Sequence, residues 1–415
     1  MKDAKNRSNY SKILKESEYI KLLFSNLINR FGDSVESITF TWVVYQITNS
    51  AAWSAIVFAL NVLPNVIVQP FAGAIVEKMN KKQVVIATHF LRALLITLFI
   101  ILLELGYVNP LILSCFTLII TTVESFNLPT STAFTMQVIK REDINVVISL
   151  NSVFTNAASL AGSGVAGFII AKLGVGAAMF IDVSTFIIAA ILIKLIKETA
   201  NTVPTNTDST KNNSSGYIKM LKEGIVYVFK TPVVRNFCII CITLNCMLIP
   251  FSALQAPIAN GIFGMGSELL SIAGIFSSIG GIAGAVLLPY IAKTLSPLRI
   301  TILGIFMLII GMACIPAGSL VKGNALLSYT LISTSFFIII TSSSLVGGII
   351  SIQFMKCVDH NYMARASAVF NSSVIAAMPI SSFIVSMLIS HISVMYMLIG
   401  SIAVSMVILI LIMIL

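Results

Sequence analysis

The chain has 415 residues, of which 57% are hydrophobic and only 10% charged, and its formal net charge is +10. A water-soluble protein carries about a quarter of its residues as Asp, Glu, Lys or Arg, so this composition excludes a soluble enzyme. The apolar runs are long and continuous rather than segments of roughly ten alternating residues, which argues against an outer-membrane β-barrel and leaves an all-α polytopic membrane protein.

A helix needs about 20 apolar residues to cross a hydrocarbon core of roughly 30 Å with its backbone hydrogen bonds satisfied internally. Twelve such runs are predicted, at 19–47, 53–76, 83–105, 110–134, 146–171, 177–196, 236–260, 268–292, 299–319, 325–353, 365–390 and 393–415. The first exceeds the length of one crossing, so its opening turns are expected in the interfacial layer. After the sixth run comes Glu198 to Gly216, too polar to bury a core and read as a flexible linker. The following residues place Ile218, Leu221, Ile225 and Phe229 on one side of a helix and Lys219, Lys222 and Glu223 towards the other, the pattern of an amphipathic helix on a membrane surface. The organisation is therefore a six-helix half over 1–197, a cytoplasmic linker with an amphipathic helix over 198–235, and a second six-helix half over 236–415.

Lys and Arg near span ends are retained on the cytoplasmic side. With the amino terminus placed inside, all but four of the 26 Lys and Arg residues fall in or beside inner segments. The exceptions are Lys172 and Lys322 in outer loops and Arg30 and Arg92 within spans. Both termini are expected in the cytoplasm of a multi-pass cell-membrane protein, and the positive charge is a topology signal rather than a nucleic-acid surface. The polar start of the first run does not have the form of a cleavable signal peptide.

The six cysteines lie in or beside apolar runs. Cys238 and Cys241 form a C-x-x-C, but no second pair or histidine accompanies them, so they read as small buried residues and no metal site is expected. His89, three residues before Arg92, could titrate near neutral pH or be an ordinary polar neighbour. Gly162, Gly164 and Gly167 on the fifth span and Gly274, Gly280, Gly281 and Gly284 on the eighth allow helices to approach closely, whether for static packing or for sliding.

Ionisable groups within the spans carry the functional signal, because each costs about 2.5–3.5 kcal/mol or more at the bilayer centre unless it finds a partner, a cavity or water. Asn26, Arg30, Asp33 and Ser37 recur at helical spacing on the first span, with Glu36 on the flank of that stripe. Arg92 on the third span and Glu124 on the fourth lie at similar depth. An acid that gains and loses a nearby arginine can load and unload a proton, whereas a fixed Arg30–Asp33 or Arg92–Glu124 ion pair would be purely structural. The second half offers amides and hydroxyls, among them Asn245, Gln255 and Asn371. These and Asn26, Ser37, Asn61 and His89 are the candidate polar lining of a cargo cavity.

Between the second and third spans stands Gly73-Ala-Ile-Val-Glu77-Lys78-Met-Asn80-Lys81-Lys82. This G-x-x-x-E-K-x-N-K-K loop resembles the signature loop of the major facilitator superfamily, with Glu77 for the usual Asp and Asn80 for the usual Gly. Within that family the chain looks like the macrolide-efflux-like and siderophore-exporter-like branch of drug:proton antiporters. The likeness is carried by Arg30-Phe-Gly-Asp33 with Trp42, Phe126-Asn-Leu-Pro129 with Ala133, and Asp359-His-Asn-Tyr-Met-Ala-Arg365. It departs from many drug antiporters in offering Glu124 where the fourth span often has an arginine motif, and Gly162-Ser163 where a Gly-Pro pair is usual.

The resemblance implies two parallel six-helix halves, a midplane cargo site, and a gating role for Gly73, Glu77, Lys78, Asn80, Lys81 and Lys82. The stretch from Leu287 weakly repeats that from Phe71, as such halves require. The implied function is export of an amphipathic small molecule by proton antiport. Its energy source is the proton gradient with no other cofactor, and its partners are the cargo and the bilayer, with no nucleic acid. A monomer is expected. Export of a siderophore or other metallophore is the competing cargo, and a non-transporting receptor or scaffold the competing class.

Overall fold

The computed structural model describes residues 13, 16–77, 79–139, 144–197, 225–318, 324–358 and 363–414. The linker Glu198–Gly216, most of the amphipathic segment, Lys78, residues 359–362 and the Glu77 and Arg365 side chains lie outside the described set. Residues 225–230 are helical.

The helices of the first half are α1 (Ser17–Thr48), α2 (Ala51–Ile67), α3 (Gln69–Glu77), α4 (Lys81–Glu104), α5 (Pro110–Val138), α6 (Ile144–Leu173) and α7 (Val175–Lys194). The second half contributes α8 (Pro232–Ala253), α9 (Glu268–Thr294), α10 (Pro297–Gly318), α11 (Ala325–Cys357), α12 (Met363–Ile389) and α13 (Val394–Ile414). Ten of these are long and apolar enough to cross a membrane. The two remaining predicted crossings are explained by their residues. The charged stripe of α1 makes it too polar for a composition test, and the second crossing is divided at Val68 into α2 and α3. Pro70 has no N–H to donate, which interrupts the helical ladder there.

Local chemistry sets the other boundaries. Asn80, Asn109 and Asn324 cap α4, α5 and α11 by accepting from the N–H groups of Gln83, Ile112 and Leu327. Gly174, at φ +86°, turns the chain between α6 and α7 in a conformation that other residues resist. The predicted seventh span also departs from one helix. α8 stops at Ala253 and continues as a short turn, Gln255–Pro257, and a π-helical turn, Ile258–Ile262, in which the Phe263 N–H reaches back to Ile258.

The chain divides into two compact units, one of residues 1–47 and 63–205, the other of 48–62 and 206–415. In the first unit α4 is inverted relative to a soluble helix. It buries Val85, Thr88, His89, Arg92, Ile96 and Phe99 and turns Phe90, Leu91, Leu94, Leu98 and Ile101 outward, the arrangement expected of a helix bathed in lipid. α4 packs closely on α5 and α7.

The end of the first unit where α1 begins and α7 finishes is closed by apolar packing and cations. Tyr19, Leu22 and Leu23 are buried with Val85, Phe134, Val147 and Ile193, so the opening turns of α1 pack into the core of this unit. Lys82 donates to the carbonyl of Ile196 at 2.7 Å and Lys21 to that of Leu195 at 3.2 Å, satisfying the end of α7 where the helix dipole favours positive charge. Beside them the Lys21 ammonium pairs with the Glu18 carboxylate at 2.8 Å.

In the second unit α11 is the central helix, closely packed on α9 and α10. Gly280 and Gly284 bring the backbones of α9 and α11 together. Thr341 donates to the Gly280 carbonyl at 3.1 Å and Ser344 to that of Gly281 at 3.2 Å, while Ser335 donates to Gly311 of α10 at 2.7 Å. The same unit includes the start of α2, whose Ala55 carbonyl accepts from Ser382 of α12 at 2.7 Å.

Candidate proton-coupling site

Arg92 of α4 is 1% exposed and forms the centre of a charged cluster inside the first unit. Its Nη1 lies 3.0 Å from Oδ1 of Asp33, and its Nη2 donates to Oε2 of Glu36 at 2.7 Å. The guanidinium also stacks over the Phe186 ring of α7, 4.1 Å from the centroid. An arginine can satisfy two carboxylates and an aromatic face at once because its charge is planar and forked.

The helical spacing of α1 makes this possible. Asp33 and Glu36, three residues apart, lie on neighbouring parts of one face and present their carboxylates to the same cation. Asn29, one turn earlier, donates to Asp33 Oδ2 at 2.9 Å and fixes that carboxylate. Close approach of the neighbouring helices depends on glycine. A Cβ at Gly32 would collide with Thr185 Oγ1 of α7 and lie 2.8 Å from Asp182 Oδ1, and one at Gly162 of α6 would lie 2.5 Å from the Phe31 carbonyl. Ser34 and Ser159 share a hydrogen bond of 2.9 Å across the same α1–α6 seam.

Two further groups complete the cluster. Glu124 of α5 lies within electrostatic range of Arg92, Asp33, Glu36 and Arg30. Asp182 of α7, 1% exposed, lies against Gly32, which stands one turn before Glu36 on the same face of α1. His89, one turn before Arg92, is buried with its ring 6.0 Å from Phe186. Asp33 and Glu36 thus contact one buried guanidinium, with Glu124 and Asp182 in its electrostatic range.

Neither ion pair suggested by sequence spacing forms. Arg30 is exposed, and Arg92 rather than Arg30 takes Asp33, while the direct partner of Arg92 is Glu36 instead of Glu124. Asp182 escaped the sequence reading altogether. The available signal was an isolated Asp inside the apolar run from 177 to 196.

The other predicted residues are dispersed. Asn26 bonds Asn151 of α6 at 3.2 Å, and Ser37 is exposed. Asn61 belongs to the 48–62 segment of the second unit. Asn245, donating to Cys241 O at 2.9 Å, lines a cavity of about 190 Å³ with Cys241, Ser342, Ser343 and Gly347. Gln255 lies in the short turn after α8, and Asn371 is exposed on α12. Of the loop residues, Gly73 lies on α3, Asn80 caps α4, Lys81 opens that helix and Lys82 caps α7. Cys238 and Cys241 are free and buried. Among the described residues no group of three or more His, Cys, Asp and Glu side chains is arranged to hold a metal ion.

The family model described as Major Facilitator Superfamily matches residues 22–382, and the chain belongs to that family. That family is one of membrane transporters rather than of enzymes. The chain is 22% identical over 229 residues to an uncharacterized MFS-type transporter, YkuC, of Bacillus subtilis, covering 54% of this chain and 52% of that protein. It therefore spans about half the length of this curated relative. Over 285 residues it is 23% identical to the multidrug efflux pump Tap of Mycolicibacterium fortuitum, covering 66% of each. Among solved structures it is similar to the nucleoside transporter NupG, with a TM-score of 0.78 at 12% identity over 96% of this chain and 98% of that one. A bacterial homologue of the iron transporter ferroportin, in an inward-facing state, gives a TM-score of 0.72 at 12% identity over 95% and 98% of the two chains. At such identities these structures establish the fold alone.

Proposed function

We propose that this transporter exports an amphipathic small molecule across the cell membrane in exchange for protons, with both termini in the cytoplasm. The observation that carries the reading is Arg92, held between Asp33 and Glu36 in a buried cluster that also contains Glu124 and Asp182. A structural ion pair needs one acid for one base. Additional acids around a single guanidinium are costly in lipid unless their charge changes during the working cycle. Protonation of an acid weakens its hold on Arg92, and deprotonation restores it, so the state of the cluster is coupled to the packing of α1, α4 and α7. Arg92 is the switch in this scheme, with Asp33 and Glu36 its alternating partners.

Similarity to the efflux pump Tap supports export as the direction and multidrug-like molecules as the cargo class. The gating loop acts through its anchorage, since Lys82 ties the start of α4 to the end of α7. Proton release from everted membrane vesicles, triggered by macrolides or lipophilic cations, tests the proposal. Cargo-dependent release that Asp33→Asn abolishes is the expected result. Cargo flux with no accompanying proton movement would overturn it.

A further inference from the structure

Asp182 occupies a position that packing alone does not explain. Its carboxyl lies one helical turn before Phe186, is 1% exposed and sits against Gly32. No hydrogen-bond donor among the described residues reaches either oxygen. The neighbouring hydroxyl of Thr185 donates instead to the backbone carbonyl of Asp182 at 2.6 Å. Arg92 has its Nη1 at Asp33, its Nη2 at Glu36 and its face on Phe186, leaving no close ion pair for Asp182. Gly32, against which Asp182 lies, stands one turn before Glu36, so a second carboxyl follows on the same face of α1. Two ionised carboxylates brought together repel, whereas one carboxylic acid and one carboxylate attract through a charge-assisted hydrogen bond.

We propose that Asp182 and Glu36 form a carboxyl pair sharing a single proton, with Asp182 as the proton store of the transport cycle. The inference rests on the proton-coupled reading and adds to it the residue that carries the proton. The charged groups around the pair are Asp33 on α1 and Arg92 on α4, with Glu124 on α5 in electrostatic range of Glu36 and His89 of α4 one turn before Arg92. In the state described, Arg92 holds Glu36 as the ionised partner, so the O–H belongs to Asp182 and points at Glu36. Loading takes the pair from two negative charges to one by making a single O–H bond. Release returns the proton to water when Arg92 leaves Asp33 for Asp182 and compensates the second charge. Gly32 keeps the pair together, because any larger side chain there would occupy the space of the Asp182 carboxyl and the Thr185 hydroxyl. The titration belongs to the pair as a whole and not to either acid separately.

Infrared spectroscopy of the purified full chain in lipid nanodiscs tests this without knowledge of the cargo. The carbonyl stretch of a buried protonated carboxyl is expected in the wild type at neutral pH and lost at alkaline pH. Asp182→Asn removes it, Glu36→Gln shifts it, and Asp33→Asn leaves it in place. Isotope labelling of aspartate carboxyls in the unaltered protein must move the band, a test that needs no variant to fold. A wild type without the band, a band that survives Asp182→Asn, or one insensitive to aspartate labelling overturns the proposal. Proton-linked flux measured in parallel separates the two readings. Normal coupling in Asp182→Asn with an unchanged band removes Asp182 and leaves proton antiport standing. A band lost in the variant, in a transporter whose cargo moves without protons, removes antiport and leaves the carboxyl pair.

Discussion

Replacing Arg92 with Met keeps side-chain bulk and deletes the charge that three contacts depend on: the 3.0 Å pair with Asp33, the 2.7 Å hydrogen bond to Glu36 and the 4.1 Å stack on Phe186. Removing one partner of a buried ion pair costs about 3–5 kcal/mol because the other is left charged and unpaired. That cost depends on pH. At alkaline pH the Glu36 carboxylate is left without its cation and the full deficit is expected. At acid pH a protonated carboxyl needs no cation, and the deficit shrinks toward the loss of the aromatic stack, about 0.5–2 kcal/mol. The assay is thermal unfolding in detergent across a pH series, followed by intrinsic tryptophan fluorescence, with wild type and Arg92→Met side by side. A deficit that is constant with pH, or that grows as pH falls, would refute the claim that Arg92 serves chiefly to neutralise these acids.

Gly32→Ala places a methyl group where Thr185 Oγ1 and Asp182 Oδ1 stand, so α1 and α7 must separate; a loss of about 1–3 kcal/mol is expected in the same unfolding assay, together with impaired proton coupling. Gly280→Ala puts a Cβ 2.5 Å from the Phe337 carbonyl and strains the α9–α11 seam, with a similar loss of stability. It should leave the proton-to-cargo ratio unchanged, because the charged cluster belongs to the other unit. Lys82→Ala frees the Ile196 carbonyl at the end of α7 and is expected to lower stability by about 0.5–2 kcal/mol, and to speed amide exchange at that helix end by hydrogen-exchange mass spectrometry.

The helices were legible in the sequence because lipid imposes one rule: long apolar runs become helices and charges within them turn inward. That rule marked Arg30, Asp33, Glu36, Arg92 and Glu124 as candidates, with Arg30 and Asp33 in one polar stripe of the first span and Glu36 on its flank. It could not choose partners. Arg30 is three residues from Asp33, yet its side chain is exposed, and the cation that meets Asp33 comes from α4, 59 positions further along. Such a pairing depends on how α1, α4 and α7 pack, and Gly32 and Gly162 become meaningful only when the facing helix is known. Asp182 shows the same limit from the other side. One acid in an apolar run is a visible anomaly, but its role emerges from Gly32, Glu36 and Phe186 around it. Interruptions at Val68 and after Ala253 arise from prolines that a count of apolar residues passes over.

The measurement that tests the central claim most directly is proton movement in energised everted vesicles on adding macrolides, lipophilic cations and metallophores in turn, with Asp33→Asn alongside. Cargo-triggered proton release in the wild type, absent from a mutant present at equal level in the membrane, is the predicted result. Wild-type transport in Asp33→Asn, with its proton coupling intact, would contradict the account.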